Sequence, residues 1–261
     1  MQKRVILLYS KIAAVLLIPL LIYTTFSLIN RNVKEVTAWA EIYAPPCART
    51  QFILPDGSKG WLNSNTKLKY PLNFVHNRHV NLSGEAYFEV TKNKDFPFTV
   101  TTPNLDVKVV GTIFSVSAFE EENTTEVVLQ EGTVVVNNQA IGLNSVMKPD
   151  QKFVFDNLNR KYQTATLNAQ QYNTWKDGLL IFRNEPLSDV FKRLSRWYNV
   201  KITITDDQIK QYKYRATFHD EPVEEVIRLI ALTLPIEFHI QKRAYNEQGV
   251  YAVKEITIQK K

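Results

Sequence analysis

Two histidines in the first half of the chain have the chemistry of a metal site. His76 and His79 lie three residues apart, on either side of Arg78. A metal site there needs a carboxylate or a third nitrogen close to both rings, because protein metal sites take three or four such ligands. The spacing supplies no third ligand, so we interpret the two histidines as part of a solvated turn.

Glu85 and Glu89 have the chemistry of a hydrolytic carboxylate pair. Four residues apart on a predicted strand, they share one face but lie about 13 Å apart along it. A glycosidase pair needs a separation of roughly 5 to 9.5 Å. We therefore expect no catalysis from this pair. The nearby run Glu120 to Glu122 is interpreted as a solvated loop.

Other signatures of chemistry are missing from the sequence. It has no glycine-rich phosphate loop, no Gly-x-Ser-x-Gly nucleophile motif and no cysteine cluster. The single cysteine, Cys47, excludes an internal disulfide and is interpreted as a small buried residue. Trp175, Trp197 and Tyr198 could form a binding face, but their spacing favours a place in the core. We predict that the chain is not an enzyme and has no catalytic, cofactor-binding or metal-binding residues.

An apolar run near the N-terminus predicts a membrane anchor. Ile12 to Ile29 contains 18 residues without a charge, enough for a transmembrane helix of about 17 to 25 residues. Lys3, Arg4 and Lys11 precede it without an acidic residue, which favours a cytoplasmic N-terminus and export of the remainder. A cleaved signal peptide is the alternative, with a small-x-small site at residues 38–40.

Charge argues against a nucleic-acid partner. The net charge is +6, but three of the 32 basic residues lie before the apolar run, and all 26 acidic residues lie beyond it. The exported part is therefore nearly neutral, whereas a nucleic-acid-binding domain carries a clustered basic face.

From Arg49 to about Thr166 the pattern is typical of an all-β domain. Short alternating apolar runs are separated by turn residues such as those of Pro55 to Ser58. Predicted strands are Gln51–Leu54, Gly60–Leu62, Lys67–Tyr70, His79–Leu82, Ala86–Thr91, Phe98–Thr101, Val107–Val110, Phe114–Phe119, Glu126–Gln130, Thr133–Val136, Lys152–Phe155 and Arg160–Thr164. The pattern leaves a roll, a sandwich and a small solenoid open.

Beyond Trp175 the sequence contains an internal duplication. Phe182, Glu185, Pro186 and Val190 recur 36 residues later as Phe218, Glu221, Pro222 and Val226. Each copy has helical apolar spacing followed by an alternating strand, and a final strand covers Tyr251 to Ile258. We predict an α+β domain of β-α-β-β-α-β type, with two helices on one sheet whose edges could accept a partner's strand.

The ordered motifs resemble the FecR family of transmembrane anti-sigma regulators over roughly residues 10–261. The resemblance is carried by Leu54–Ser58, Trp61–Asn63, Arg78–Val90, Pro97–Val100, Val109–Val116, Glu131–Val134, Pro149–Gln151, Trp175–Gly178, Phe182–Leu187 and Trp197–Val200. It implies a single-pass protein of the inner membrane with its bulk in the periplasm. Its implied partners are the periplasmic signalling domain of a TonB-dependent transporter and an extracytoplasmic-function sigma factor.

The resemblance implies a helical sigma-binding segment of many tens of residues before the membrane. Here residues 1–11 precede the apolar run, and eleven helical residues span only about 16 Å. We therefore expect this cytoplasmic stub to be too short to cover a sigma-factor domain. The start could be assigned too late, the gene could be a fragment, or this member could work without direct sigma binding.

The sequence thus predicts a single transmembrane helix, an all-β domain (a roll, sandwich or small solenoid) and an α+β domain. The predicted boundaries are 1–11 for the stub, 12–29 for the helix, 30–48 for a linker, 49–168 for the all-β domain and 175–261 for the C-terminal domain. The rival function is a stand-alone envelope protein that binds glycan or another envelope component.

Overall fold

The computed structural model of the protein describes residue 15 and residues 17–25, 38–241 and 252–261. The predicted transmembrane segment, Ile12 to Ile29, therefore lies partly outside the described residues; within it, residues 17–25 are helical. In the described part of the chain, no helix combines the length and apolarity needed to span a membrane. The chain divides into two compact units, Met1–Ala38 and Trp39–Lys261, and the second contains all the elements described below.

The described residues from Trp39 to Thr166 form an all-β domain, as predicted. Its strands are β1 (Trp39–Ala44), β2 (Thr50–Ile53), β3 (Lys59–Leu62), β4 (Thr66–Pro71), β5 (His79–Glu89), β6 (Phe98–Thr101), β7 (Asp106–Val109), β8 (Ile113–Ala118), β9 (Thr124–Glu131), β10 (Val134–Asn138), β11 (Leu143–Met147), β12 (Gln151–Asp156) and β13 (Lys161–Thr166). A 3-10 turn at Gln139–Ile141 joins β10 to β11. Strand β1 lies in the stretch predicted as a linker, and β11 was not predicted.

The long strand β5 belongs to two sheets. Its first half pairs with β4 and β6 in the order β1-β4-β5-β6-β7-β10-β11, and its second half pairs with β3 and β8 in the order β2-β3-β5-β8-β9-β12-β13. The change occurs at Gly84, where φ is +111° and an added Cβ would lie 2.3 Å from Thr66 Oγ1. The prediction of separate strands, His79–Leu82 and Ala86–Thr91, was therefore wrong, because glycine lets one strand continue through the bend.

One apolar core lies between these two sheets. Phe98 and Val134 reach it from the first sheet and Phe114 and Phe153 from the second, and all four are fully buried. Phe88 stacks on Phe114 with ring centroids 5.2 Å apart. Of the three architectures left open by the sequence, this arrangement agrees with a sandwich or roll that encloses one core.

The C-terminal domain contains the predicted duplication. Its elements are α1 (Ala169–Tyr172), a 3-10 turn (Asn173–Asp177), β14 (Leu179–Pro186), α2 (Leu187–Tyr198), β15 (Val200–Ile204), α3 (Asp207–Lys210), β16 (Lys213–His219), α4 (Val223–Thr233), β17 (Ile236–Ile240) and β18 (Lys254–Lys260). Pro186 and Pro222 occupy the N-cap positions of α2 and α4 with almost identical backbone angles.

The two copies do not form one sheet, contrary to the prediction. The first strands of the copies pair with each other, β14 with β16, in a two-stranded sheet. The second strands, β15 and β17, lie on either side of β18 in a separate three-stranded sheet. Alternating apolar residues fix the buried face of a strand but not its neighbour, and so the sequence pattern could not distinguish one sheet from two.

Candidate functional site: the junction between the two domains

Helix α2 faces both domains. Its apolar stripe, which includes Val190 and Leu194, is fully buried in the C-terminal core. Lys192 and Arg196 are four residues apart, so they project from a common face, and both contact acidic side chains of the first domain. The same helix therefore stabilises the C-terminal core and joins it to the all-β domain.

Arg196 is the most heavily bonded residue of this contact. Its Nε and Nη2 donate to the two carboxylate oxygens of Glu122, each at 2.7 Å, and its Nη1 donates to Glu126 Oε2 at 3.1 Å. Glu85 Oε1 lies 4.0 Å from the same Nη1. The Arg196 side chain is only 2% exposed. Planar, bidentate pairing of this kind is the strongest geometry for an arginine and a carboxylate.

Glu126 lies inside strand β9, between Arg196 and two lysines. Lys192 Nζ donates to Glu126 Oε1 at 2.5 Å, and Lys152 Nζ lies 3.2 Å from Glu126 Oε2. The hydroxyl of Tyr172 donates to Glu126 Oε2 at 3.2 Å. We call the six charged residues the junction cluster: Glu85, Glu122, Glu126, Lys152, Lys192 and Arg196.

Burial and pairing act in opposite directions on the carboxyl groups of the junction cluster. Burial raises the pKa of Glu85 above its usual range, because Arg196 and the hydrogen bond from Asn63 only partly offset the loss of solvent. Burial also acts to raise the pKa of Glu126, but Arg196, Lys152 and Lys192 outweigh it and hold that pKa well below the usual range. The pKa of Glu122 is lowered in the same way, chiefly by Arg196.

A second polar contact lies around Arg49, which immediately precedes β2. Its guanidinium lies 4.5 Å from the ring centroid of Trp197. It donates to the carbonyl oxygen of Trp175 at 3.2 Å and to Asp220 Oδ1 at 3.0 Å. Gly178 lies against this pair with φ +85°, and a Cβ there would be 2.7 Å from Asp220 Oδ2. A side chain at this position would therefore displace Asp220 from Arg49.

Apolar side chains complete the contact between the domains. Tyr87 of β5 is 2% exposed and belongs to the C-terminal core, against which Trp61 and Ile113 also pack. A buried hydrogen bond also joins the two domains, from Ser115 Oγ to Asn173 Oδ1 at 2.9 Å. The two domains thus share a buried surface, and the charged groups within it neutralise one another. This chemistry suits a rigid connection.

Cavities lined by described residues open at the junction. The larger, which we call the interdomain groove, has a volume of about 1000 Å³; it is lined by the whole of β15, by Phe191 and Ser195 of α2, and by Pro46 and Phe119 of the first domain. The smaller has a volume of about 520 Å³ and lies beside Arg49, between Trp61 and Trp197.

Some predicted site residues lie at the junction and others do not. Glu122 was predicted in a solvated loop, and this was wrong, because Arg196 and Lys192 bind it with only 17% of its side chain exposed. Cys47 was predicted to be buried but is exposed, with its thiol 3.1 Å from the carbonyl oxygen of Tyr198. Trp175 and Trp197 are core residues, as predicted.

The candidate metal and carboxylate groups remain separate from the junction, except for Glu85. No group of three or more His, Cys, Asp or Glu side chains in the described part of the chain is arranged to hold a metal ion. His76 packs edge-on against Phe96. Arg78, between the histidines, is buried and ion-paired with Asp56 at 2.6 Å, which gives it a structural role. Glu89 is paired with Lys59, whereas Glu85 belongs to the junction cluster.

Sequence reasoning missed Glu126, Lys192 and Arg196. A signal was available for each. Glu126 lies in a predicted strand next to Val127, Val128 and Leu129, and an acidic residue buried among such apolar residues must find a partner. Lys192 and Arg196 lie four residues apart beside the apolar stripe of α2. The identity of their partners is a matter of tertiary structure, because 70 residues separate Glu126 from Arg196.

The comparisons with known proteins cover both sides of the junction. Residues 40–135 match the family model described as FecR protein, and residues 179–246 match the model described as FecR, C-terminal. A comparison with curated protein sequences gives no match.

Two solved structures share the fold. Both are crystal structures of a candidate anti-sigma factor from Parabacteroides distasonis, 27% identical to this chain. The structure at 1.65 Å resolution has a TM-score of 0.70 and covers 85% of this chain and 99% of that one. The structure at 2.50 Å resolution has a TM-score of 0.69 and covers 86% and 100%. Since family models match both domains and the likeness extends across their junction, the chain belongs to the FecR family.

Proposed function

We propose that this protein is a regulator of the anti-sigma-factor type, anchored in the inner membrane by Ile12 to Ile29. Its N-terminus lies in the cytoplasm and its bulk in the periplasm. The observation that carries the proposal is the likeness to a candidate anti-sigma factor over 85% of this chain, together with family matches in both domains. The charge bias around the apolar run supports the orientation.

In this proposal the exported part receives a signal and passes it towards the cytoplasm. The signal comes from the periplasmic signalling domain of a TonB-dependent outer-membrane transporter, and the output is the activity of an extracytoplasmic-function sigma factor. The junction cluster supports such a role, because buried ion pairs connect the two domains and so link a partner bound at either of them to the other.

The proposed mechanism is binding without catalysis. The buried carboxyl groups of the junction cluster, whose pKa values are shifted, are paired with cations of the neighbouring domain. Their pKa shifts are thus accounted for by a structural contact, and no substrate is needed to explain them.

The test is direct binding of the full-length chain, in lipid nanodiscs, to purified signalling domains of TonB-dependent transporters made by the same cell. We expect one of these domains to bind, and the same transporter without its signalling domain to give no signal in biolayer interferometry. Deletion of the gene should also change the transcripts that depend on the partner sigma factor. Failure of every signalling domain to bind would overturn the transporter relay.

A further inference from the structure

Among the described residues, one edge of the C-terminal three-stranded sheet has backbone groups without a strand partner, and these residues line the interdomain groove. Strand β15 pairs only with β18 among the described residues. Thr205 N donates to Ile258 O just beyond the strand, so the odd-numbered residues direct their backbone groups towards β18. Backbone groups alternate in direction along a strand. Those of Ile202 and Ile204 therefore point away from β18, towards the edge that no described strand covers.

The interdomain groove follows this edge. All five residues of β15 line it, together with Phe191 of α2 and Phe119 of the first domain. A five-residue strand is about 16 Å long. The groove, at about 1000 Å³, can therefore hold one extended segment beside β15.

The two faces of β15 differ in chemistry. Val200 is buried and Ile202 and Ile204 are half-buried, whereas Lys201 and Thr203 are exposed. A strand added to this edge would continue both faces, because side chains alternate. Apolar side chains would extend the apolar face, and the intervening side chains would lie beside Lys201. Lys210 at the end of α3 also lines the groove.

Charge favours an acidic occupant. The groove lining contains four basic side chains, Lys192, Arg196, Lys201 and Lys210, against the acidic Glu121 and Glu122. Lys192 and Arg196 already neutralise Glu122. Lys201 and Lys210 have only exposed ion-pair partners, and such pairs exchange readily with other anions.

We propose that β15 is a docking edge at which a partner protein adds an extended strand with apolar side chains at alternate positions and acidic side chains between them. Backbone hydrogen bonds to Ile202 and Ile204 provide the affinity, and the groove walls select the alternating side chains. The assignment of the partner as a transporter signalling domain rests on the function proposed above. The opposite edge, β17, contributes no residue to the groove lining and exposes Glu237 beside His239.

The test compares two substitutions at one position. Ile202→Pro removes the outward amide and leaves the ladder to β18, whereas Ile202→Ala removes more of the side chain and keeps the amide. We expect Ile202→Pro to weaken binding of the full-length chain to the transporter signalling domain about tenfold or more. The affinity of Ile202→Ala for the signalling domain should remain within about threefold of the wild-type affinity. Equal binding by wild type and Ile202→Pro would overturn the docking edge and leave the proposed function standing.

A synthetic peptide tests the edge without the transporter. The probe is a capped, fluorescein-labelled peptide of sequence Glu-Val-Glu-Ile-Glu-Val-Glu, and its control has lysine at every glutamate position. We expect fluorescence anisotropy to show binding of the acidic peptide to wild type, and about threefold weaker binding to Lys201→Glu. The Lys201 side chain is 63% exposed, so Lys201→Glu should keep its fold. This variant still tests the docking edge if Ile202→Pro unfolds the protein.

The outcomes separate the two proposals. In one outcome no signalling domain binds, but the acidic peptide binds wild type and binds more weakly to Ile202→Pro or Lys201→Glu. The docking edge is then supported and the transporter relay is wrong. If wild type shows no binding of the acidic peptide, or binds the lysine peptide equally well, the alternating acidic strand is wrong whatever the transporter does.

Discussion

Arg196 of α2 donates hydrogen bonds to both carboxylate oxygens of Glu122, a residue 74 positions earlier in the chain. Both distances are 2.7 Å, and the arginine is almost completely buried. Buried charges of opposite sign stabilise each other, because removal of one partner leaves the other without solvent or a counterion. The connection between the domains is therefore sensitive to single substitutions.

Arg196→Met should strongly destabilise the protein. The substitution leaves Glu122, Glu126 and Glu85 close together without their shared cation, at a cost of about 3–5 kcal/mol in the free energy of unfolding. Urea titration followed by tryptophan fluorescence measures this loss. Arg228→Met is the matched control, since Arg228 also pairs with a glutamate from a helix but is exposed, and its unfolding midpoint should hardly change. A similar loss of stability in both variants would contradict the conclusion that burial makes the ion pairs of Arg196 important for stability.

Glu126→Gln should destabilise the protein in a pH-dependent way. The pKa of Glu126 is well below its usual value in the folded state, so its ionised form stabilises the fold. This contribution is complete above the unfolded value of about 4.5 and is lost as the pH falls through the lowered pKa. At pH 7 we expect a loss of about 3–5 kcal/mol. The difference between wild type and variant should stay constant from pH 7 to about 5 and begin to shrink below that, and a constant difference down to pH 3 would contradict this assignment.

Glu85→Gln should change the stability in the opposite direction from Glu126→Gln. The pKa of Glu85 is raised by burial, so its ionised form costs stability once the pH rises above about 4.5 and through the raised pKa. Glutamine removes this charge and can still accept the hydrogen bond from Asn63 Nδ2. The variant should be more stable than wild type at pH 7, and the gain should disappear below about pH 4.5. Urea titrations at both pH values measure the change, and a loss of stability at pH 7 would show that Arg196 needs the Glu85 charge.

Gly178→Ala should weaken the contact made by Arg49. Any alanine at positive φ costs about 1–2 kcal/mol, and here the new Cβ would also approach Asp220 Oδ2 to 2.7 Å. Gly142→Ala is the control, because Gly142 also has positive φ (+66°) but a Cβ added there would meet no atom within 4 Å. The fall in the urea midpoint should be larger for Gly178→Ala. Equal falls in the urea midpoint for the two variants would mean that Asp220 moves away from the new Cβ without a loss of stability.

Local sequence patterns predicted most of the strands and both long helices of the C-terminal domain, but missed β1 and β11. Strand β6 was predicted with its observed ends, and the 36-residue repeat placed α2 and α4 correctly. These features depend on periodicity within a short segment. The same reasoning failed at Gly84, where one glycine joins two predicted strands into β5.

Long-range pairing was beyond the sequence. Alternation in β15 and β17 identified their buried faces but not that β18 lies between them. The junction cluster was missed for the same reason, because Glu126 and Arg196 each look locally like a charged residue beside apolar ones. A stretch of three glutamates such as Glu120 to Glu122 is usually solvated, and only the folded partner on α2 shows that its last member is not.

Strand β5 carries neighbouring side chains into different cores. Ala86 and Phe88 are buried in the core of the all-β domain, while Tyr87 between them is buried in the C-terminal core. A loss of either core thus exposes part of the same strand. The family models divide the sequence into two parts. Because β5 serves the cores of both parts, we do not expect the two parts to unfold independently of each other. We therefore expect residues 39–261 to unfold in a single transition.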